Sequence, residues 1–346
     1  MKKGIIWVVG ILAVLVFAGY IIVNNWADTG HGKLNTKVAV ILKFMELTAD
    51  DSIKDLEDLS VAESREQLMQ TVKKFSDVPV QLPKIINQTI PGPAGEIPIR
   101  IYIPEESKVL PVTLFYHGGG WVQGNLDSHD NVVRYMAARS GSILVAVDYR
   151  LAPENPFPAA VEDAYAALKW VAGNAKLFSG DPSKIAVMGD SAGGNLSAVV
   201  SLMARDKNGP KISRQILVYP ATNLKTLDTD SYMFFGEGFM LTRKEIEWFR
   251  AHYLPNKSDW SNPMASPLLA KDHSNLPPAT IITAQMDPLS DEGKQYADKL
   301  EQSGVEVRYH RFEGMIHGFI SAGKVLNQAY EAMDEIALDL KQSFGT

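Results

Sequence analysis

The apolar run Ile185-Ala186-Val187-Met188 feeds directly into Gly189-Asp190-Ser191-Ala192-Gly193, and small residues continue through Asn195 to Ala204. The spacing predicts a short strand, a tight turn and a closely packed helix. A serine at that turn has to adopt a strained backbone conformation, with its hydroxyl exposed above the sheet. Glycines two residues to either side are needed because a Cβ there would meet the crossing strand and helix. The first N–H groups of the helix then lie beside the hydroxyl, where a developing anion can be held. Taken alone, the same pattern also serves as a small-residue turn that packs a helix onto a strand.

Three further features bear on that choice. His117-Gly118-Gly119-Gly120-Trp121 follows the strand-like Val112-Thr113-Leu114-Phe115-Tyr116. Successive glycines can turn their N–H groups into one cavity, as a tetrahedral oxyanion requires. A phosphate-binding loop would continue with Lys-Ser/Thr, and Trp121-Val122 stands there instead. Asp287 follows the apolar run Ala279 to Ala284 and precedes Pro288. Asp-Pro at a strand end is equally an N-cap followed by an N1 proline. Asp291 and Glu292, a helical turn further on, are the rival acids, but Asp287 lies nearer the strand end. Of seven histidines, only His317, in Gly314-Met315-Ile316-His317-Gly318, follows both serine and acid on a glycine-flanked loop. His310 falls inside a strand pattern, His129 at a helix start, His252 among aromatics, and His31 and His273 in loops without suitable neighbours. The order Ser…Asp…His is that of the α/β-hydrolase arrangement.

These motifs, with Asp148-Tyr149-Arg150-Leu151-Ala152-Pro153-Glu154 and Phe157-Pro158-Ala159 between them, resemble the bacterial hormone-sensitive-lipase-like esterases that carry GDSAGG. The resemblance runs from about Ile90 to the C-terminus. It implies an α/β-hydrolase fold and a serine carboxylesterase acting on short- to medium-chain acyl esters. Ser191, His317 and Asp287 would form the triad, and Gly119, Gly120 and Ala192 would supply the oxyanion N–H groups. No metal or organic cofactor is required. Acyltransferase or amidase chemistry would use the same triad, and a non-catalytic binding protein would need none of it. Asp190, Asp148, Arg150 and Glu154 are expected to fix loops around the site.

Apolar runs at Ile97–Ile103, Val112–Tyr116, Ile143–Val147, Ile185–Met188, Ile216–Tyr219, Ala279–Ala284 and Val305–Tyr309 alternate with helical patterns. They predict a mainly parallel sheet flanked by helices. Residues 85–222 and 264–346 are expected to form the core. Residues 34–84 show helical spacing at Leu34–Thr48 and Val61–Phe75, and the resemblance implies that they and the insertion 223–263 form a helical cap. Asp50 to Asp58 reads as a solvated connection. Within the insertion, Phe234, Phe235 and Met240 are candidate wall residues for an acyl pocket, as is Trp121 beside the glycine loop.

Residues 1–33 read as an anchor and linker. Met1-Lys2-Lys3 precedes twenty uncharged residues, Gly4 to Val23, about 30 Å of helix. Trp7, Tyr20 and Trp26 fall near its ends, and lysines flank the N-terminal side alone, which predicts a single transmembrane helix with an extracytoplasmic body. The alternative is secretion after cleavage of a signal peptide, for which Val16-Phe17-Ala18 is a weak site. Asn24 to Asn35 reads as a polar linker. The net charge of −6 offers no basic patch for nucleic acid, and the absence of cysteine excludes disulfides and thiol catalysis.

Overall fold

The computed structural model describes residues 19–48 and 55–346. Eight strands, β1 (Lys84–Gly92), β2 (Gly95–Ile103), β3 (Leu110–Tyr116), β4 (Ile143–Val147), β5 (Gly180–Asp190), β6 (Arg214–Val218), β7 (Ala279–Met286) and β8 (Val307–Ile316), form one sheet ordered β1-β2-β4-β3-β5-β6-β7-β8. The β1–β2 and β2–β4 pairs are antiparallel. All other pairs are parallel. Every residue of β3, β4 and β6 is buried, as expected of a sheet covered on both faces.

The named helices are α1 (Thr36–Thr48), α2 (Val61–Phe75), α3 (Asp130–Ser140), α4 (Ala159–Asn174), α5 (Ala192–Asp206), α6 (Asp230–Phe235), α7 (Arg243–Tyr253), α8 (Ser290–Gln302) and α9 (Asn327–Phe344). On one face, Met136 of α3 and Ile336 and Leu340 of α9 share a core with Phe115, Leu144 and Ile282. On the other, Val161 and Leu168 of α4 and Val199 of α5 pack with Leu114, Val145 and Val187. Helix α2 opens on a reciprocal capping box, Ser60 with Glu63, and α7 on another, Thr242 with Glu245. Gly141 ends α3 in the left-handed conformation expected of a glycine stop.

Each of the seven apolar runs overlaps a strand, the last of them shifted, since β8 begins at Val307 and continues to Ile316. β1 is additional: Asn87-Gln88 breaks its apolar pattern, and as a mostly exposed edge strand it buries only Ile90. Two expectations at the N-terminal side need correction. Asn24 to Asn35 is not a free linker. Residues 19–27 are helical, Ala27 and Leu34 are buried, and Asn35 N–H donates to Gly314 O at 2.9 Å. Polar composition concealed this because two small or apolar residues and backbone hydrogen bonds do the docking. Nor is the acidic stretch wholly solvated, since Leu56 is buried; residues 50–54 of it lie outside the described residues. The expected span, Gly4 to Val23, lies largely outside them too. Among the described residues no helix is long and apolar enough to cross a membrane.

Candidate active site

Ser191, Asp287 and His317 each follow the C-terminal end of a parallel strand, β5, β7 and β8 respectively, so the sheet brings them to one edge. Ser191 has φ 52° and ψ −117°, a strained conformation for a residue with a Cβ. Its N–H donates to Val218 O at 2.8 Å, which ties the turn to β6. The flanking glycines are sterically required: a Cβ on Gly189 would stand 2.3 Å from the Gly193 carbonyl, and one on Gly193 1.8 Å from Tyr116 O.

His317 Nε2 lies 3.0 Å from Ser191 Oγ, and Nδ1 lies 2.7 Å from Asp287 Oδ2. A carboxylate at Nδ1 keeps the proton there, so Nε2 is left to accept the serine hydroxyl hydrogen. Asp287 is fully buried, and its other oxygen accepts the Leu289 N–H at 2.9 Å. One carboxylate thus faces the histidine and also holds the turn that leads into α8, whose N-cap is Leu289. The rival acids point elsewhere: Asp291 accepts the Ser231 N–H, and Glu292 accepts from Thr222 N–H, Asn223 N–H and the Tyr232 hydroxyl.

The glycine loop crosses in front of the serine. Gly119 and Gly120 have φ of 115° and 60°, open to glycine alone without strain. A Cβ on Gly120 would also meet the Phe249 ring at 2.3 Å. Gly119 O accepts from Val122 and Gln123 N–H, while among the described residues no intrachain acceptor takes the N–H of Gly119 or Gly120. Ala192 is the first residue of α5, where backbone N–H groups are free of helical partners.

Asp190 holds this loop. Its buried carboxylate accepts the Gly118 N–H at 2.9 Å and faces His129 Nε2 at 3.2 Å. Burial pushes the carboxyl up, but the charge of His129 and its hydrogen bond outweigh that and leave it lowered. His117, stacked on Tyr149, is pushed down to about 4 by burial and by His129, so it stands neutral. Arg150 pairs with Asp163, and Glu154 with Arg65.

A cavity of about 320 Å³ opens above Ser191. Its walls include Val38, Ile41 and Met45 from α1, Leu68 and Val72 from α2, and Met240, Leu241, Ile246 and Phe249 from the insertion. Glu245, whose carboxyl burial raises, also lines the cavity. Trp121 and Met240 line the cavity; Trp121 is held flat on Tyr253 at 4.4 Å. Phe234 and Phe235 do not line it. Phe234 stacks on His31 at 3.7 Å and Phe235 packs on Phe239 in the core beneath. Their identity as large apolar residues was legible, but a six-residue helix, α6, turns both away from the site.

Arg65 was not singled out from sequence. From α2 it reaches Val122 O at 2.8 Å, Ala152 O at 3.1 Å and both oxygens of Glu154. An arginine one turn along an amphipathic helix gives no sign of partners 57 and more positions away.

A family model described as the α/β-hydrolase fold matches residues 113–321. Together with the site, this defines the class: the chain belongs to the hormone-sensitive-lipase-like family of α/β-hydrolases. It is 47% identical over 243 residues to a carboxylic ester hydrolase, LipN, of Mycobacterium tuberculosis, covering 68% of this chain and 64% of that one. It is 41% identical over 291 residues to the carboxylesterase NlhH of the same organism, covering 82% of this chain and 91% of the relative. Among solved structures, a hyperthermophilic esterase from Pyrobaculum calidifontis aligns with a TM-score of 0.83 at 42% identity, over 88% of this chain and 97% of that one. An ester hydrolase from the metagenome of Lake Arreo, solved with a derivative of bipyridine phosphonate, aligns at 0.87 and 38% identity over 90% of this chain and all of that one.

Proposed function

We propose that the chain is a serine carboxylesterase acting on short- to medium-chain acyl esters, and that it works from a membrane anchor. The observation that carries the reading is the hydrogen-bonded series Ser191–His317–Asp287 at the floor of an apolar cavity. Ser191 Oγ attacks the ester carbonyl and its proton passes to His317 Nε2, while Asp287 stabilises the imidazolium. The N–H groups of Gly119, Gly120 and Ala192 receive the oxyanion. The alcohol leaves with the proton from His317, and water, deprotonated by the same nitrogen, hydrolyses the acyl-enzyme.

The cavity is at the small end of ligand pockets, which favours acyl chains of about two to eight carbons. A rate series over p-nitrophenyl esters from acetate to palmitate tests this. Turnover should peak among the short members and collapse at palmitate; a palmitate maximum would overturn the chain-length reading. Transfer to added alcohol that outpaces hydrolysis would make the protein an acyltransferase instead.

The run Gly4 to Val23 is proposed to anchor the chain, with the lysines inside and the catalytic body outside the cytoplasmic membrane. Protease added to intact spheroplasts should remove the body. A body protected until lysis overturns the orientation, and a native protein starting at Gly19 overturns anchoring in favour of cleavage.

A further inference from the structure

The docked N-terminal segment fixes where a tether leaves the body. Asn35 bonds to Gly314 in β8, and a Cβ on Gly32 would stand 2.6 Å from the Gln285 amide and 2.7 Å from Met286, at the end of β7. His31 stacks on Phe234 of the cap. Asp287 and His317 follow these strand ends immediately. The helical residues 19–27 therefore depart from the edge of the sheet that carries the active site. They expose Tyr20 and Ile22, at 64% and 47%.

Helix α1, which follows this segment, carries exposed apolar side chains as well, beside the Lys43–Glu46 ion pair. Helix α1 buries Val38 and Ala39 but exposes Phe44 at 61% and Leu47 at 69%. Met45, between them in sequence, is exposed and lines the cavity at once. Large apolar side chains left exposed on a helix that also lines the cavity mark a contact surface. The run Gly4 to Val23 ends where this edge begins, and the chain between has no slack because it is docked.

Resting on the anchoring proposed above, we infer that the active-site edge lies on the lipid surface, with Phe44 and Leu47 seated in it. The cavity then opens toward the bilayer and draws ester substrates from it. Partial burial of two such side chains in the interface is favourable by their apolar area, and the tether holds them at high local concentration.

The chain has no cysteine, so single labelling sites can be placed in the full-length protein. Phe44→Cys and Val109→Cys carry an environment-sensitive fluorophore in vesicles of phosphatidylcholine with brominated acyl chains. Val109 is exposed at the start of β3, on the opposite edge of the sheet. The label at 44 should be quenched and that at 109 should not. In the same vesicles, the double variant Phe44→Asp/Leu47→Asp should hydrolyse soluble p-nitrophenyl butyrate at the parent rate. On a butyrate ester of a long-chain alcohol dissolved in the bilayer it should lose about five-fold or more in rate, a fraction of the apolar contact removed. Protein that sediments with the vesicles yet shows equal quenching at both positions overturns the orientation and leaves the anchor standing. Protein that stays in the supernatant overturns both.

Discussion

Ser191 is held in its turn by its own N–H bond to Val218 O, and its hydroxyl meets only His317, so its replacement should act on chemistry more than on folding. Ser191→Ala is expected to lower ester turnover by around 10⁶ while leaving the melting temperature near that of the parent. Retention of more than a few per cent of the parent rate would remove Ser191 from the role. Asp287→Asn should cost far more rate than Asp291→Asn, because the Asp291 carboxylate accepts from Ser231 and not from His317. Steady-state kinetics on p-nitrophenyl butyrate compares the two, and the reverse ranking reassigns the acid. Glu292 gives a pH prediction. Burial, with the charge of Asp287 adding to it, raises this carboxyl from 4.5 to about 8, against the lowering effect of its Thr222, Asn223 and Tyr232 hydrogen bonds. Between those values the unfolded chain ionises while the folded one keeps its proton. Its contribution to stability is therefore full below about 4.5 and is lost as pH rises through about 8. Melting curves at pH 5.5 and 8.5 should show a smaller fall for Glu292→Gln than for the parent. An equal fall would mean that Glu292 is ionised in the folded protein.

Among the elements, α2 and the glycine loop are joined through one side chain. Arg65 holds the Val122 and Ala152 carbonyls and Glu154, so it fixes α2 against the turn that follows Gly119 and Gly120. Arg65→Ala should lower kcat/KM by about ten-fold, the effect of slightly misplaced oxyanion donors, with little change in melting temperature, because the pair is partly solvated. Arg65→Lys should not restore the rate, since an ammonium cannot span the carbonyls and the carboxylate as a planar fork does. Full activity in Arg65→Ala would show that the loop holds itself. The strand-turn-helix around Ser191 was legible because its glycines, apolar run and small-residue helix are contiguous. The Arg65 strap was not, for its partners lie in two other loops.

At the scale of the molecule, the docked segment separates two truncations. Removing residues 1–18 should leave turnover on a soluble ester and the melting temperature unchanged, for no chemistry is assigned there. Removing residues 1–35 uncovers the contacts of Ala27 and Leu34 with the core under β7 and β8. The melting temperature should then drop by about 5 °C or more. Equal stability of the two products, measured by calorimetry, would show that the segment merely rests on the body.

Sequence by itself determined the parallel sheet, the strand ends that carry Ser191 and Asp287, and the glycine loop. Each is written in neighbouring residues, where backbone conformation and alternation with helices leave few alternatives. It also showed that residues 223–263 interrupt the alternation of strands and helices. That β8 runs on to Ile316, directly before His317, only the structure showed. Which aromatics front the cavity was decided only in three dimensions: Phe249 does, while Phe234 meets His31, some two hundred positions earlier in the chain. The polar stretch Asn24 to Asn35 became part of the body for the same reason. Its partners, Gly314, Gln285 and Met286, are brought to it by the closing of the sheet, and local composition carries no record of a surface that exists only once β7 and β8 have paired.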